Sequence, residues 1–241
     1  EILTHWITES NASGGTLRYL QTEDEITAGF CVCGATIAGE KAFTATAGPG
    51  TILMQDAMSM ADGMRLPFVA IIVQRGGPSS GTVIYSQQEV NLAIHGGNGE
   101  GFRIVYSPSN LSELYAYTRF AFNDAWQYRF PTVVLTDGLL VKTRQLVDFD
   151  VQLKNVPAIP QVSETTQKNI RNIYTFEEEL AEKLRIDKKD FDALSPNVEK
   201  FENYQAENCD TLIIAHGIVA SAAKEAVGSL RAQGKNVGLF R

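Results

Sequence analysis

Apolar residues recur along the chain in short runs with no polar alternation. The clearest are residues 68–74 (FVAIIVQ), 131–137 (PTVVLTD) and 211–217 (TLIIAHG). Such runs are expected where helices cover both faces of a parallel sheet. Residues 17–21, 42–47 (AFTATA), 103–107 (RIVYS) and the late NVGLF also read as strands. Helical patterns separate them. Thr22 is a plausible N-cap for a helix to about Ala38, with acids in its first turn. Gly48-Pro49-Gly50 breaks a strand and starts a helix over 51–64, which Arg65-Leu66-Pro67 ends. A short helix fits 86–94. Behind Pro108 and Asn110 runs an amphipathic stripe of Leu111, Leu114, Tyr115, Thr118, Ala121, Phe122, Ala125 and Trp126, spaced by threes and fours. Ile218, Ala222, Ala226, Val227 and Leu230 mark a last helix, stopped by Gly234. Strand and helix in alternation predict βαβ units, right-handed crossovers and an α/β fold with a parallel sheet. Residues 148–206 break the texture: charged and proline-spotted, they read as a linker with one or two solvated helices. The expected division is one domain over 1–147, this linker, and the start of a second α/β domain over 207–241.

Charge narrows the picture. The 241 residues carry 28 acidic and 21 basic side chains, a formal net charge of −7. An acidic chain with no basic run is a poor match for the phosphate neutralisation that nucleic-acid binding needs. The longest apolar run, Phe68–Val73, is far short of the ~20 residues of a membrane helix, so a soluble, cytoplasmic protein is expected. Three cysteines, Cys31, Cys33 and Cys209, suit a reducing compartment better than a disulfide framework. Cys31 and Cys33 face different sides of a helix, and too few thiolates exist for a four-cysteine cluster. The chain starts at Glu1 without methionine and stops just past a strand, so it reads as part of a longer protein.

In parallel α/β sheets, ligands sit at the carboxyl ends of strands. Four segments are candidates there. Glu25 is either the glutamate of a Thr22-x-x-Glu25 capping box or a carboxylate aimed at a ligand nitrogen. Thr46-Ala47-Gly48-Pro49-Gly50 is either a plain tight turn or a close backbone approach to a ligand at a helix N-terminus. Arg75, in QRGGPSSG directly after a buried strand, is either a surface ion pair or a bidentate grip on a carboxylate. His95-Gly96-Gly97-Asn98-Gly99-Glu100-Gly101 suits a lid or partner contact, or simply a capped helix end. No metal-ligand spacing, phosphate loop, G-x-G-x-x-G fingerprint or nucleophile elbow is present.

Taken in order, TEDEITAGFCVCG, TATAGPG, QRGGPSSG, SQQE and GGNGEG resemble the α subunit of the 2-oxoacid:ferredoxin oxidoreductases, strongly over residues 1–147 and more weakly over 209–241. The resemblance implies a pyrimidine-type thiamine-diphosphate-binding domain, then the beginning of a transketolase C-terminal-like domain. It implies that Glu25, rather than its neighbour Glu23, hydrogen-bonds N1′ of the aminopyrimidine and promotes removal of the thiazolium C2 proton. It implies that Arg75 lies near the substrate carboxylate, and that Thr46, Gly48, Pro49 and Gly50 pass beside the pyrimidine. Alanine at position 47 stands where the family pattern has serine. A β subunit would bring Mg²⁺, the diphosphate site and a [4Fe-4S] cluster, alongside possible γ and δ subunits. Coenzyme A and ferredoxin would take the acyl group and the electrons. Two other readings remain open: a non-catalytic scaffold subunit in which Glu25 only caps its helix, and a flavin- or dinucleotide-binding domain.

Overall fold

The computed structural model describes residues 2–82, 86–147, 149–164 and 170–241. Helix α1 (Ile2–Ala12) opens the chain; the sequence reading assigned nothing there. Residues 17–21, expected to be a strand, are irregular. The Asn11 side chain holds the Leu17 N–H at 2.8 Å, no strand among the described residues pairs with the segment, and Leu20 is 70% exposed. Then follow α2 (Glu25–Ile37), β1 (Phe43–Thr46), α3 (Pro49–Leu53), α4 (Gln55–Met64) and β2 (Val69–Gln74). The helix expected over 51–64 starts earlier and is interrupted at Met54. Proline has its φ preset for the first helical position, so Pro49 begins the helix.

Next come α5 (Val90–His95), β3 (Ile104–Tyr106), α6 (Leu111–Tyr128), β4 (Thr132–Asp137) and α7 (Gly138–Lys142). The helix expected over 86–94 starts at Val90, because the side chains of 87–89 are engaged elsewhere, as described below. Asn110 caps α6, accepting from the Glu113 N–H at 2.9 Å.

The first sheet is wholly parallel, in the order β1-β2-β4-β3. Its central strands lack alternation because both faces are covered. Phe68, Ala70, Ile72, Val133 and Leu135 face α2 and α4 through Val32, Cys33, Met54, Met58 and Ala61. Val69 and Val134 face the opposite layer, with Ala121 and Ala125 of α6.

Helix α8 (Glu177–Val198) completes that layer. Its charged residues read as a solvated helix, yet Leu194 and Val198 are buried with α6. Arg65 anchors it: Nη1 lies 3.0 Å from both Asp187 Oδ1 and Asp190 Oδ2. Lys183 also pairs with Asp187. A smaller sheet follows, ordered β5 (Asn203–Tyr204), β7 (Val237–Phe240), β6 (Thr211–Ile214), with α9 (Gly217–Ala232). β6 and β7 are parallel; β5 is antiparallel to β7 and falls inside the stretch read as linker. None of the described helices is long and apolar enough to cross a membrane.

Candidate active site

Because β1 and β2 are parallel, with Thr46 opposite Ile72, the segments after Thr46 and after Gln74 leave the sheet along the same rim. Helix α2 brings its first residue, Glu25, to that rim. The capping box does not form. Asp24 is the N-cap, its Oδ1 accepting from the Thr27 N–H at 2.8 Å, while the Thr22 hydroxyl donates to the Asp24 carbonyl at 3.0 Å. That frees the Glu25 carboxylate from capping its own helix. The Asp24 carboxyl is held below the usual carboxylate range by the Thr27 N–H and hydroxyl.

Glu25, Thr46 and Gly50 are brought together. A Cβ on Gly50 would fall 2.1 Å from Thr46 Oγ1 and 2.7 Å from Glu25 Oε1, so only glycine fits between them. Gly48 plays the matching part for Arg75. Its φ of 58° and ψ of −122° are open to glycine, and a Cβ there would lie 2.1 Å from Arg75 Nε. Pro49, between the two glycines, begins α3. Three of the four segments picked from the sequence therefore meet at one rim.

The fourth does not join them. The 96–101 loop lies along α4. Arg103, buried and paired with Asp62 at 2.8 Å, donates to Gln55 Oε1 and to the Gly96 carbonyl, each at 2.8 Å. Asn98 Oδ1 accepts from the Ser59 hydroxyl at 3.0 Å. A buried guanidinium needs this ring of acceptors, which makes the loop a structural strap.

Sequence reasoning missed Glu89 and Thr51. Both are buried, Glu89 at 7% exposure, and Glu89 Oε2, Thr51 Oγ1 and Arg75 Nε have no hydrogen-bond partner. Buried polar atoms are nearly always paired, so three unpaired ones close together make this rim a candidate ligand site. Glu89 lines a cleft of about 350 Å³ with Gly48, Ile52, Arg75, Gln88 and Leu92. Burial pushes its carboxyl above the usual range; the Gly48 and Arg75 N–H groups, the Thr51 hydroxyl and the Arg75 charge pull the other way. Its sequence signal was SQQE, one of the motifs that carry the family resemblance, but no role was assigned to the glutamate within it. Its side chain makes no capping bond.

The second sheet meets this rim through α9. Gln87 Nε2 donates to the His216 carbonyl at 2.9 Å, and Ser107 Oγ lies 2.8 Å from His216 Nδ1. Burial holds His216 below its ordinary value, against the charge of Asp137.

The family model described as "Pyruvate flavodoxin/ferredoxin oxidoreductase, thiamine diP-bdg" matches residues 1–210. The chain belongs to this oxidoreductase family. Among curated relatives of the family, the chain is 32% identical over 230 residues to ketoisovalerate oxidoreductase subunit VorB of Methanothermobacter thermautotrophicus, covering 93% of this chain and 65% of the relative. It is 30% identical to 2-oxoglutarate synthase subunit KorA of Methanocaldococcus jannaschii, covering 92% and 69%. A solved 2-oxoglutarate:ferredoxin oxidoreductase from Magnetococcus marinus, with 2-oxoglutarate, coenzyme A and succinyl-CoA bound, superposes with a TM-score of 0.82 at 27% identity, over 97% of this chain and 46% of that one. The chain thus spans just under two thirds of the first relative and under half of the solved chain.

Proposed function

We propose that this chain is the α-type part of a 2-oxoacid:ferredoxin oxidoreductase that binds the pyrimidine half of thiamine diphosphate. In this reading residues 1–147 form the pyrimidine-type domain, 148–206 connect while lending α8 to the first sheet's helical layer and β5 to the second sheet, and 207–241 begin a transketolase C-terminal-like domain. One observation carries the proposal: the Glu25 carboxylate and the Thr46 hydroxyl both lie against Gly50, so close that a Cβ there would clash with each, while another residue caps α2. The Glu25 carboxylate is thereby held at the rim with no capping duty of its own, and the unpaired Thr51 and Arg75 atoms suit a polar ligand. The residues present therefore fit the cofactor.

When bound, thiamine diphosphate supplies the carbon nucleophile for the 2-oxo carbon of the substrate. Glu25 Oε1 holds the proton shared with the ring nitrogen, a general acid–base role. The Gly50 and Thr46 backbones set the approach to Glu25. Arg75 grips the substrate carboxylate, orienting the 2-oxo group. A partner β subunit supplies Mg²⁺, the diphosphate site and a [4Fe-4S] cluster; γ and δ subunits, coenzyme A, ferredoxin and a cytoplasmic setting complete the assembly. The names of the relatives, each a subunit of a 2-oxoacid enzyme, support this reading.

The test is Glu25→Gln in the complex assembled with its partner chain. Oxoacid-dependent reduction of a viologen dye should fall by roughly 10²–10⁴-fold, with unfolding free energy changed by no more than about 0.5 kcal/mol. Unaltered turnover would overturn the proposal, and unaltered turnover with lost stability would favour the scaffold reading.

A further inference from the structure

Residues 87–89 run past the rim in irregular backbone, and each side chain or amide goes to a different part of it. Gln88 Oε1 accepts from the Gly77 N–H at 2.9 Å. The Glu89 N–H donates to Gln74 Oε1 at 3.3 Å. These two bonds bracket Arg75, one residue before it and two after. The Glu89 side chain, leaving α5 uncapped, turns into the cleft shared with Gly48 and Arg75. The Glu89 carboxylate faces the Gly48 and Arg75 N–H groups and the Thr51 hydroxyl, and among the described ion pairs none joins it to the Arg75 guanidinium, so it acts on the strand end and the Gly48 turn. Gly48 in turn is the surface on which Arg75 Nε rests.

We infer that Glu89, with Gln88, is the positioning unit for Arg75: it fixes the Gly48 turn and the Arg75 strand end in one register and so sets affinity for the substrate carboxylate. This rests on the reading of Arg75 given above. A carboxylate offers more acceptor sites than an amide, so Gln in its place loses part of the grip on the two backbone segments. A small displacement of an orienting arginine weakens substrate capture strongly.

The experiment is steady-state kinetics on the complex assembled with its partner subunits, with the viologen dye as acceptor and the 2-oxoacid varied. Glu89→Gln should raise KM by about tenfold while kcat changes less than roughly threefold. Glu89→Asp should recover part of the loss, and Gln88→Ala, on an exposed side chain, should move KM the same way by less. In an Arg75→Lys background, which already spoils bidentate binding, Glu89→Gln should add little, because coupled residues are not additive. A raised KM for Arg75→Lys beside an unmoved KM for Glu89→Gln overturns the positioning role alone. Unmoved KM in both overturns the reading of Arg75 itself. If Glu89→Gln does not assemble, Gln88→Ala decides: an unmoved KM there overturns the inference.

Discussion

The two rims of the four-stranded sheet handle buried polar groups in opposite ways. At the amino rim Arg65 and Arg129, both in left-handed C-cap conformations, clasp each other. Arg65 donates to the Arg129 and Tyr128 carbonyls, each at 3.0 Å, and Arg129 returns a bond to the Arg65 carbonyl at 3.1 Å. The rest of the Arg65 head meets Asp187, Asp190 and the face of Phe130, 3.8 Å from the ring centroid. At the carboxyl rim Arg75 Nε, Glu89 Oε2 and Thr51 Oγ1 make no hydrogen bond among the described residues. Both rims are built by the same strands, so the difference is not one of fold. A satisfied network stabilises; an unsatisfied one is stable only if something else completes it.

The comparison breaks most visibly at Arg65. Arg65→Ala removes one partner of a largely buried ion pair and two carbonyl contacts, and should cost about 3–5 kcal/mol in denaturant unfolding. The KM for the 2-oxoacid should not move in molecules that remain folded. At the opposite rim the sign should reverse. Thr51→Val keeps the shape and deletes an orphan hydroxyl, so ligand-free stability should rise by about 1 kcal/mol, with turnover reduced. A fall in stability would mean the hydroxyl is satisfied within the folded protein. The smallest effect is expected at His216. Its folded value lies below the unfolded one, so it contributes stability that is full above the ordinary histidine range and lost as pH falls through the folded value. His216→Asn should therefore flatten the acid-side decline of the unfolding midpoint, measured against the parent protein. Identical slopes would remove His216 from the contact between the two sheets.

Much of the architecture could be read from the chain because uninterrupted apolar strands and helical stripes are strong, local signals. FVAIIVQ and PTVVLTD became the central strands, and the Leu111–Trp126 stripe became α6. What failed was non-local. Residues 17–21 have strand-like composition, but a strand needs a neighbour, and the Leu17 backbone groups bond to the Asn11 side chain instead. The charges of 177–198 gave no hint that Asp187 would be drawn inward by Arg65, more than a hundred residues earlier. At the site, glycines and charges at strand ends marked the segments, and the family resemblance singled out Glu25, Thr46, Gly48, Pro49, Gly50 and Arg75 within them. Glu89 was quoted only within SQQE and given no role, because its burial beside Gly48 and Arg75 is invisible in a linear pattern.

The strip of three residues at 87–89 has a consequence for how this chain can vary. One neighbour in sequence reaches the second sheet, the next holds the loop beyond Arg75, and the third enters the cleft. Inserting or deleting a single residue there would hand every side chain to the wrong recipient at once. Spacing, more than the identity of any one member, is what this stretch must keep.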